Sequence, residues 1–311
     1  MHGNMIDTSL PHVGIIVLNW NGCADTIACI ESIKKISYPS YSLIIIDNGS
    51  TDGSEIKIRQ QFPEITILQT GKNLGFAGGI NAGLKYGLEK GMDYLLALNN
   101  DTVIDPEAVG ELIRVAISDK QFGLLSSKIY YFRRPDMIWY AGATFNTFLG
   151  WGRHRGFDER DDGQYDSIEE TERPSGCSMM VTREFCEKVG LLNEDYFCYC
   201  EEVDWGLRGK KAGFKIIYVP ASKVWHKVSN STGGIQTAVY LYYSVRNTLL
   251  CINTNTPLPF PFRQLRYSLV IMIFIVSLFT MNVPKMLGMK RIYQGVRDYF
   301  QGHTGEFSER P

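Results

Sequence analysis

Five stretches hold the residues whose types and spacing could do chemistry. Four are short polar turns: Asn19-Trp20-Asn21-Gly22, Asp47-Asn48-Gly49-Ser50-Thr51-Asp52-Gly53-Ser54, Gly71-Lys72-Asn73-Leu74-Gly75 and Asn99-Asn100-Asp101. The fifth, Asn193 to Arg208, crowds Glu194, Asp195, Glu201, Glu202 and Asp204 into one segment. Carboxylate and amide oxygens are ligands for hard cations, and glycines let backbone come close to a phosphate. A carboxylate lining a cleft can remove a proton from a hydroxyl. Taken singly, each turn has a plainer explanation, because Asn, Asp, Gly and Ser also supply turn geometry and helix caps. The first turn lacks G-x-G-x-x-G and no G-x-x-x-x-G-K-[ST] occurs, which weighs against dinucleotide oxidoreductases and P-loop nucleotidases.

The elements around these turns give them a common location. VGIIVLN (13–19), YSLIIID (41–47), ITILQ (65–69), YLLALN (94–99) and FGLLSSKI (122–129) read as strands, and 24–36, 54–62, 77–90 and 106–120 carry apolar residues at helical spacing. Alternation of this kind predicts an α/β fold with a mainly parallel sheet flanked by helices. Ligands of such sheets bind beyond the carboxyl ends of the strands, where the polar turns lie. A length of 311 residues with 44% hydrophobic and 21% charged residues is enough for a large core without staples. With 32 Lys plus Arg against 33 Asp plus Glu there is no overall field to hold a polyanion, so nucleic acid is not an expected partner. Seven scattered cysteines read as reduced thiols, and the first dozen residues have no secretory pattern, so a cytoplasmic location is expected.

In order, IIVLNWNG, IIIDNGSTDGS, GKNLGFAGGINAGL and LLALNNDT, followed by EEVDWGLR and VWH, resemble the GT-A domain of family 2 glycosyltransferases, particularly the bacterial rhamnosyltransferase-like branch. The resemblance spans about 11–235. It implies a GT-A nucleotide-diphospho-sugar transferase fold with a nucleotide-sugar-binding half (11–128) and an acceptor half (129–235), and inverting transfer of a sugar helped by Mn²⁺ or Mg²⁺. The cation would stabilise the departing diphosphate as a Lewis acid. The family's D-x-D falls on Asn99, Asn100 and Asp101, so Asp101 is the implied metal ligand, and Asn99 leaves one fewer anion. His226, one of five histidines, lies where family members bring an imidazole to the metal or diphosphate. Asn19, Asp47, Asn48, Lys72, Asn73, Asn99 and Asn100 are the implied donor-binding residues, Asp47 by hydrogen-bonding a pyrimidine edge.

On the acceptor side the second acid of the family's E-D or D-D pair falls on Glu202, which makes it the implied general base, with one methylene more than the family's aspartate. Gly176, Cys177, Glu201, Asp204 and Trp205 are the implied acceptor neighbours. The residue types alone allow a plainer reading, acids in a helix's first turn favoured by the macrodipole. The insert 153–173 is charged and lacks an apolar period, so a mobile surface loop is expected, and Lys227, Ser229 and Asn230 are expected to begin a loop over the donor.

Beyond 235 the sequence predicts a helical extension, 236–311. Tyr267–Val283 is apolar and uncharged, with Arg263, Arg266, Lys285, Lys290 and Arg291 around it, which suits a helix lying on the anionic inner face of the cytoplasmic membrane; a buried or oligomer-forming helix is the bland alternative. Two other classes were weighed. A non-catalytic sugar-nucleotide-binding module would lack the base and the metal ligands, and a processive synthase would carry Q-x-x-R-W and several long spans. The resemblance points to dTDP-L-rhamnose as donor and a glycan or lipid-linked saccharide as acceptor in surface polysaccharide synthesis, with UDP- or GDP-sugars as the alternative.

Overall fold

The computed structural model describes residues 10–228 and 238–309; Ser229 and Asn230 lie outside the described residues. Strands and helices alternate as the apolar runs dictate: β1 (Val13–Asn19), α1 (Cys23–Ile33), β2 (Tyr41–Asp47), α2 (Ser54–Gln61), β3 (Thr66–Gln69), α3 (Gly75–Glu89), β4 (Tyr94–Asn99), β5 (Thr102–Ile104), α4 (Ala108–Ala116) and β6 (Phe122–Tyr131). Then follow β7 (Arg134–Tyr140), β8 (Ala143–Asn146), β9 (Trp151–His154), β10 (Glu159–Arg160), β11 (Glu169–Glu170), β12 (Ser178–Thr182), α5 (Arg183–Val189), α6 (Glu201–Lys211) and β13 (Lys215–His226). Three helices close the chain, α7 (Ala238–Asn255), α8 (Phe262–Thr280) and α9 (Lys285–Phe300).

The main sheet runs β10-β7-β6-β12-β4-β1-β2-β3, with β13 beside β6 and β5 and β11 on β13. Strands β4, β1, β2 and β3 pair in parallel, while β12 enters antiparallel between β4 and β6. Both faces are covered, one by α1 and α4 around Ile15, Val17, Ile30 and Leu112, the other by α3 and α5 around Ile16, Ile80, Leu84 and Phe185. Burial on both faces is why the first strands read as unbroken Ile, Leu and Val. The chain leaves β1 for β2 on one side and returns to β4 on the other, so the crevice at the carboxyl ends of β1 and β4 is the topological switch point.

Two expectations change in the second half. The insert 153–173 is not a mobile loop: it supplies the end of β9 and all of β10 and β11. Its acids Asp161 and Asp166 sit 2.9 and 2.6 Å from the ammonium of Lys128, a lysine with no exposed surface. Charge pairing rather than apolar patterning fixes this segment, so hydrophobic periodicity could not reveal it. The last helices are also not a detached tail. Leu241, Val245 and Leu249 of α7 are fully buried against α8 and α9, and Gly305 N–H donates to the carbonyl of Asp195, 2.8 Å away, just before α6. All seven cysteines are free thiols, as read from the sequence.

Candidate active site

The polar turns meet at the carboxyl edge of the sheet, and their side chains first satisfy one another. The Asn19 amide donates to Asp47 Oδ2 (2.9 Å) and Ser50 Oγ (3.0 Å) and accepts from Thr26 Oγ1 (2.8 Å) and Gly22 N (3.3 Å). The Asn48 amide donates to Asn73 Oδ1 and the Gly75 carbonyl (both 3.0 Å) and accepts from Leu74 N (3.0 Å) and Thr70 Oγ1 (3.1 Å). A primary amide has two donors and two acceptor sites, so both are saturated. The donor contacts expected of Asn19 and Asn48 therefore give way to a bracing role: each ties two strand ends together. Asp47 keeps unused lone pairs, since Asn19 and Ser50 N (2.9 Å) take one position on each oxygen. Lys72 is exposed at the rim, and Asn73 Oδ1 also caps Gly75 N (2.9 Å) at the start of α3. Asn99 ends β4, and Asn100 donates to Thr26 Oγ1 (2.9 Å), linking that end to the first turn of α1.

Next to Asn99 the structure places Asp101 and His226 together, with Nε2 3.1 Å from Oδ1. They arrive from β4 and β13, and the antiparallel pairing of β13 with β5, His226 opposite Thr102, sets the approach. Burial opposes a charge on His226, but Cys177 and Asp101 beside it push its pKa up to about 10. Its Nδ1 is buried with no hydrogen-bond partner among the described residues. Among those residues no group of three or more His, Cys, Asp or Glu side chains is arranged to hold a metal. With the imidazole proton released on binding, Asp101 and His226 would offer a carboxylate oxygen and a ring nitrogen to a divalent cation.

Glu201 and Glu202 open α6 after a turn in which Phe197, Tyr199 and Cys200 all have positive φ, at 63°, 67° and 74°. Left-handed backbone is uncommon for such residues and is retained only where surroundings enforce it. Here α7 enforces it. The Asn247 amide donates to the carbonyls of Tyr196 (2.9 Å), Cys198 (2.7 Å) and Tyr199 (2.7 Å), and Arg246 Nη2 donates to those of Tyr196 (2.9 Å) and Asp195 (3.2 Å). The same turn presses on the donor side. Gly75 has a φ of 72°, and a Cβ on it would collide with the Phe197 carbonyl, which accepts from Ala77 N at 3.2 Å.

Burial, and then the neighbouring Glu202, push Glu201 well above the usual carboxylate range. Glu202 is the partly open member and faces Arg173 Nη2 at 3.7 Å. Asp204 and Trp205 do not face the acceptor side. Asp204 pairs with Arg208 Nε (2.7 Å) and accepts from Asn255 (2.7 Å) and Tyr196 (3.3 Å), while Trp205 is buried edge-on against Phe185 and donates to the Gly190 carbonyl (2.8 Å). Both are enclosed where α6 packs on α5 and α7, and these contacts occupy their polar atoms. Gly176 lies half-buried against the Phe76 ring, and Cys177 is buried with its thiol beside His226, nearer the cation ligands than the base.

Trp139, His154 and Arg173 were not singled out by sequence, yet they connect the two ends of the site. Trp139 stands edge-on to both His226 and His154, with centroids 5.0 and 4.6 Å away, and His154 Nε2 meets Arg173 Nη2 at 2.9 Å. They come from three separate strands or loops, and no local pattern marks them.

The switch-point crevice, the carboxylate–imidazole pair beside it and the two glutamates that open α6 sit on an α/β fold of the GT-A class. The chain belongs to glycosyl transferase family 2, whose model matches residues 14–189. It is 32% identical over 227 residues, covering 66% of this chain and 72% of the relative, to an N-acetylglucosaminyl-diphospho-decaprenol L-rhamnosyltransferase of Mycobacterium tuberculosis. It is 23% identical over 284 residues to the dTDP-rhamnosyl transferase RfbF of Shigella flexneri, covering 88% of this chain and 90% of that protein. In fold it is similar to the mannosyltransferase PcManGT of Pyrobaculum calidifontis, solved with GDP-Man and Mn²⁺, at a TM-score of 0.59 and 12% identity, covering 95% of this chain and 88% of that one.

Asn247→Ala removes the amide that satisfies three carbonyls of the left-handed turn. A loss of about 1–3 kcal/mol in denaturant unfolding is expected from the unsatisfied groups. Transfer activity should fall even at temperatures where the variant remains folded, because the start of α6 is released.

Proposed function

We propose that this glycosyltransferase moves L-rhamnose from dTDP-L-rhamnose, with inversion, to a hydroxyl of a lipid-linked saccharide in surface polysaccharide assembly. The observation that carries the chemistry is Glu202, partly open at the start of α6, beside an enclosed Glu201 and an arginine. The rhamnosyltransferase relatives support the sugar and the lipid-linked acceptor. Glu202 takes the proton of the acceptor hydroxyl as its oxygen attacks the anomeric carbon, and the nucleoside diphosphate departs from the opposite face. Lys72, Asn73 and the start of α3 receive the phosphates, since a helix N-terminus favours an anion. Asp47 offers its free lone pairs to the base. Asp101 and His226 would hold a divalent cation, which supplies charge stabilisation of the departing diphosphate.

Release of free nucleoside diphosphate from dTDP-L-rhamnose and a panel of UDP- and GDP-sugars identifies the donor. With that donor, Glu202→Gln should lose about 10²- to 10⁴-fold in kcat while donor affinity is retained. Parent-like turnover by this variant removes Glu202 from the base role. Chelation should abolish transfer and Mn²⁺ or Mg²⁺ should restore it, with Asp101→Asn needing more metal; robust activity after exhaustive chelation counts against any cation at Asp101 and His226.

The chain end supports a peripheral, cytoplasmic-face membrane attachment. Helix α8 is, among the described residues, the one helix long and apolar enough to cross a bilayer, with a mean hydropathy of 1.6. Its inner face is taken: Tyr267, Val270 and Leu278 are buried, and Arg266 donates to the Thr256 carbonyl (2.6 Å). Its outer face is not, since Phe262, Leu265, Met272, Val276 and Phe279 are exposed, next to Met286, Met289 and Tyr293 of α9. A helix with one face on protein and one apolar face outward suits the membrane surface better than a span. The basic rim is thinner than the sequence suggested. Arg266 is buried, Lys285 caps the carbonyls of Leu278 and Met281, and Arg291 pairs with Glu309, which leaves Arg263 and Lys290. Attachment should therefore be mainly apolar: the protein should pellet with anionic phospholipid vesicles even at high salt, and Val276→Asp with Phe279→Asp should leave it in the supernatant.

A further inference from the structure

Five side chains lie around the base. Glu201 lies on its own helix, Cys200 precedes it, Tyr240 and Cys251 approach from α7, and Arg173 approaches from the segment before β12. Burial raises Cys200, Tyr240, Cys251 and Glu201, so neither thiol nor the phenol is charged near neutral pH. Among the described residues, Arg173 is the cation that these contacts bring to Glu202.

The guanidinium is held from behind. Arg173 Nη2 donates to His154 Nε2 at 2.9 Å, which puts the imidazole proton on Nδ1, where it is donated to the Trp139 carbonyl at 3.2 Å. Trp139 and Tyr140 both stand edge-on to the His154 ring. Burial, followed by the Arg173 charge, pushes His154 down to about 3, so it remains a neutral acceptor throughout the working range. Arg173 Nε is buried with no partner among the described residues. A guanidinium used only to lock the fold would saturate its donors on carboxylates or carbonyls. This one is aimed by a neutral histidine and meets the base at 3.7 Å.

We propose that Arg173, oriented by His154, is a positioning residue for transfer that holds the Glu202 carboxylate toward the acceptor hydroxyl. The inference rests on the reading of Glu202 as the base. In the step, the acceptor O–H bond breaks and its proton passes to Glu202, while the oxygen bonds to the anomeric carbon. The bond from that carbon to the diphosphate breaks, and its electron pair leaves with the nucleoside diphosphate. Arg173 neither gives nor takes a proton.

The test uses the intact chain and whichever nucleotide sugar of the panel the parent turns over, with kcat, donor KM and thermal unfolding followed for each variant. Arg173→Gln should lower kcat about 10- to 100-fold through misplacement of the base, with donor KM within about twofold of the parent's. Arg173→Lys should recover most of that loss, and His154→Phe should lower kcat in the same direction as Arg173→Gln by less. A structural role would instead lower the melting temperature together with kcat and raise donor KM. Parent-like kcat in a folded Arg173→Gln overturns the proposal. If that variant melts too low to assay, His154→Phe decides, and a parent-like kcat there is equally fatal. An inactive Glu202→Gln alongside a fully active Arg173→Gln means that the base stands and this inference fails. An active Glu202→Gln, or a parent that uses no donor in the panel, overturns the functional reading itself.

Discussion

Five hydrogen bonds from Arg246 and Asn247 to the carbonyls of Asp195, Tyr196, Cys198 and Tyr199 hold the site in its working shape. Those carbonyls belong to a turn with three left-handed residues, which neither a helix nor a strand could satisfy. Buried backbone acceptors without partners are costly, so the turn exists because α7 supplies donors for it. Three features follow from this one contact. It sets where α6 begins and hence where Glu202 stands; it places the Phe197 carbonyl against Gly75 and Ala77 at the start of α3; and it fastens the last helices to the catalytic domain.

Charge in the site is arranged by burial more than by composition. Glu201 and Glu202 are adjacent and chemically identical, yet one is enclosed while the other opens toward Arg173. Likewise His154 and His226 stand on either side of Trp139, but the first is kept neutral by burial and Arg173, whereas Cys177 and Asp101 favour charge on the second. The run from Asp101 through His226, Trp139, His154 and Arg173 to Glu202 forms one continuous packed arrangement across the crevice.

The saturated amides of Asn19 and Asn48 show how the donor crevice is built. They fix the ends of β1 and β2 and the start of α3 relative to one another. Rigid backing of this kind lowers the cost of ordering side chains when a ligand binds.

Sequence alone determined the parallel half of the sheet, because strands buried on both faces must be continuously apolar and the helices between them must carry a stripe. It also determined which turns lie at the switch point, and through motif order the family. It could not determine which polar residues at those turns brace and which remain open, since an amide's hydrogen bonds depend on partners 25 or more residues away. Asp204 and Trp205, expected beside the base, are core residues, because α6 packs against α5 and α7. The segment 153–173 looked loose because it is pinned by the buried ammonium of Lys128, a contact with no periodic signature. Arg173, His154 and Asn247 act through contacts between distant segments, and only the tertiary structure, by deciding what is enclosed with what, gave each of them its place around the base.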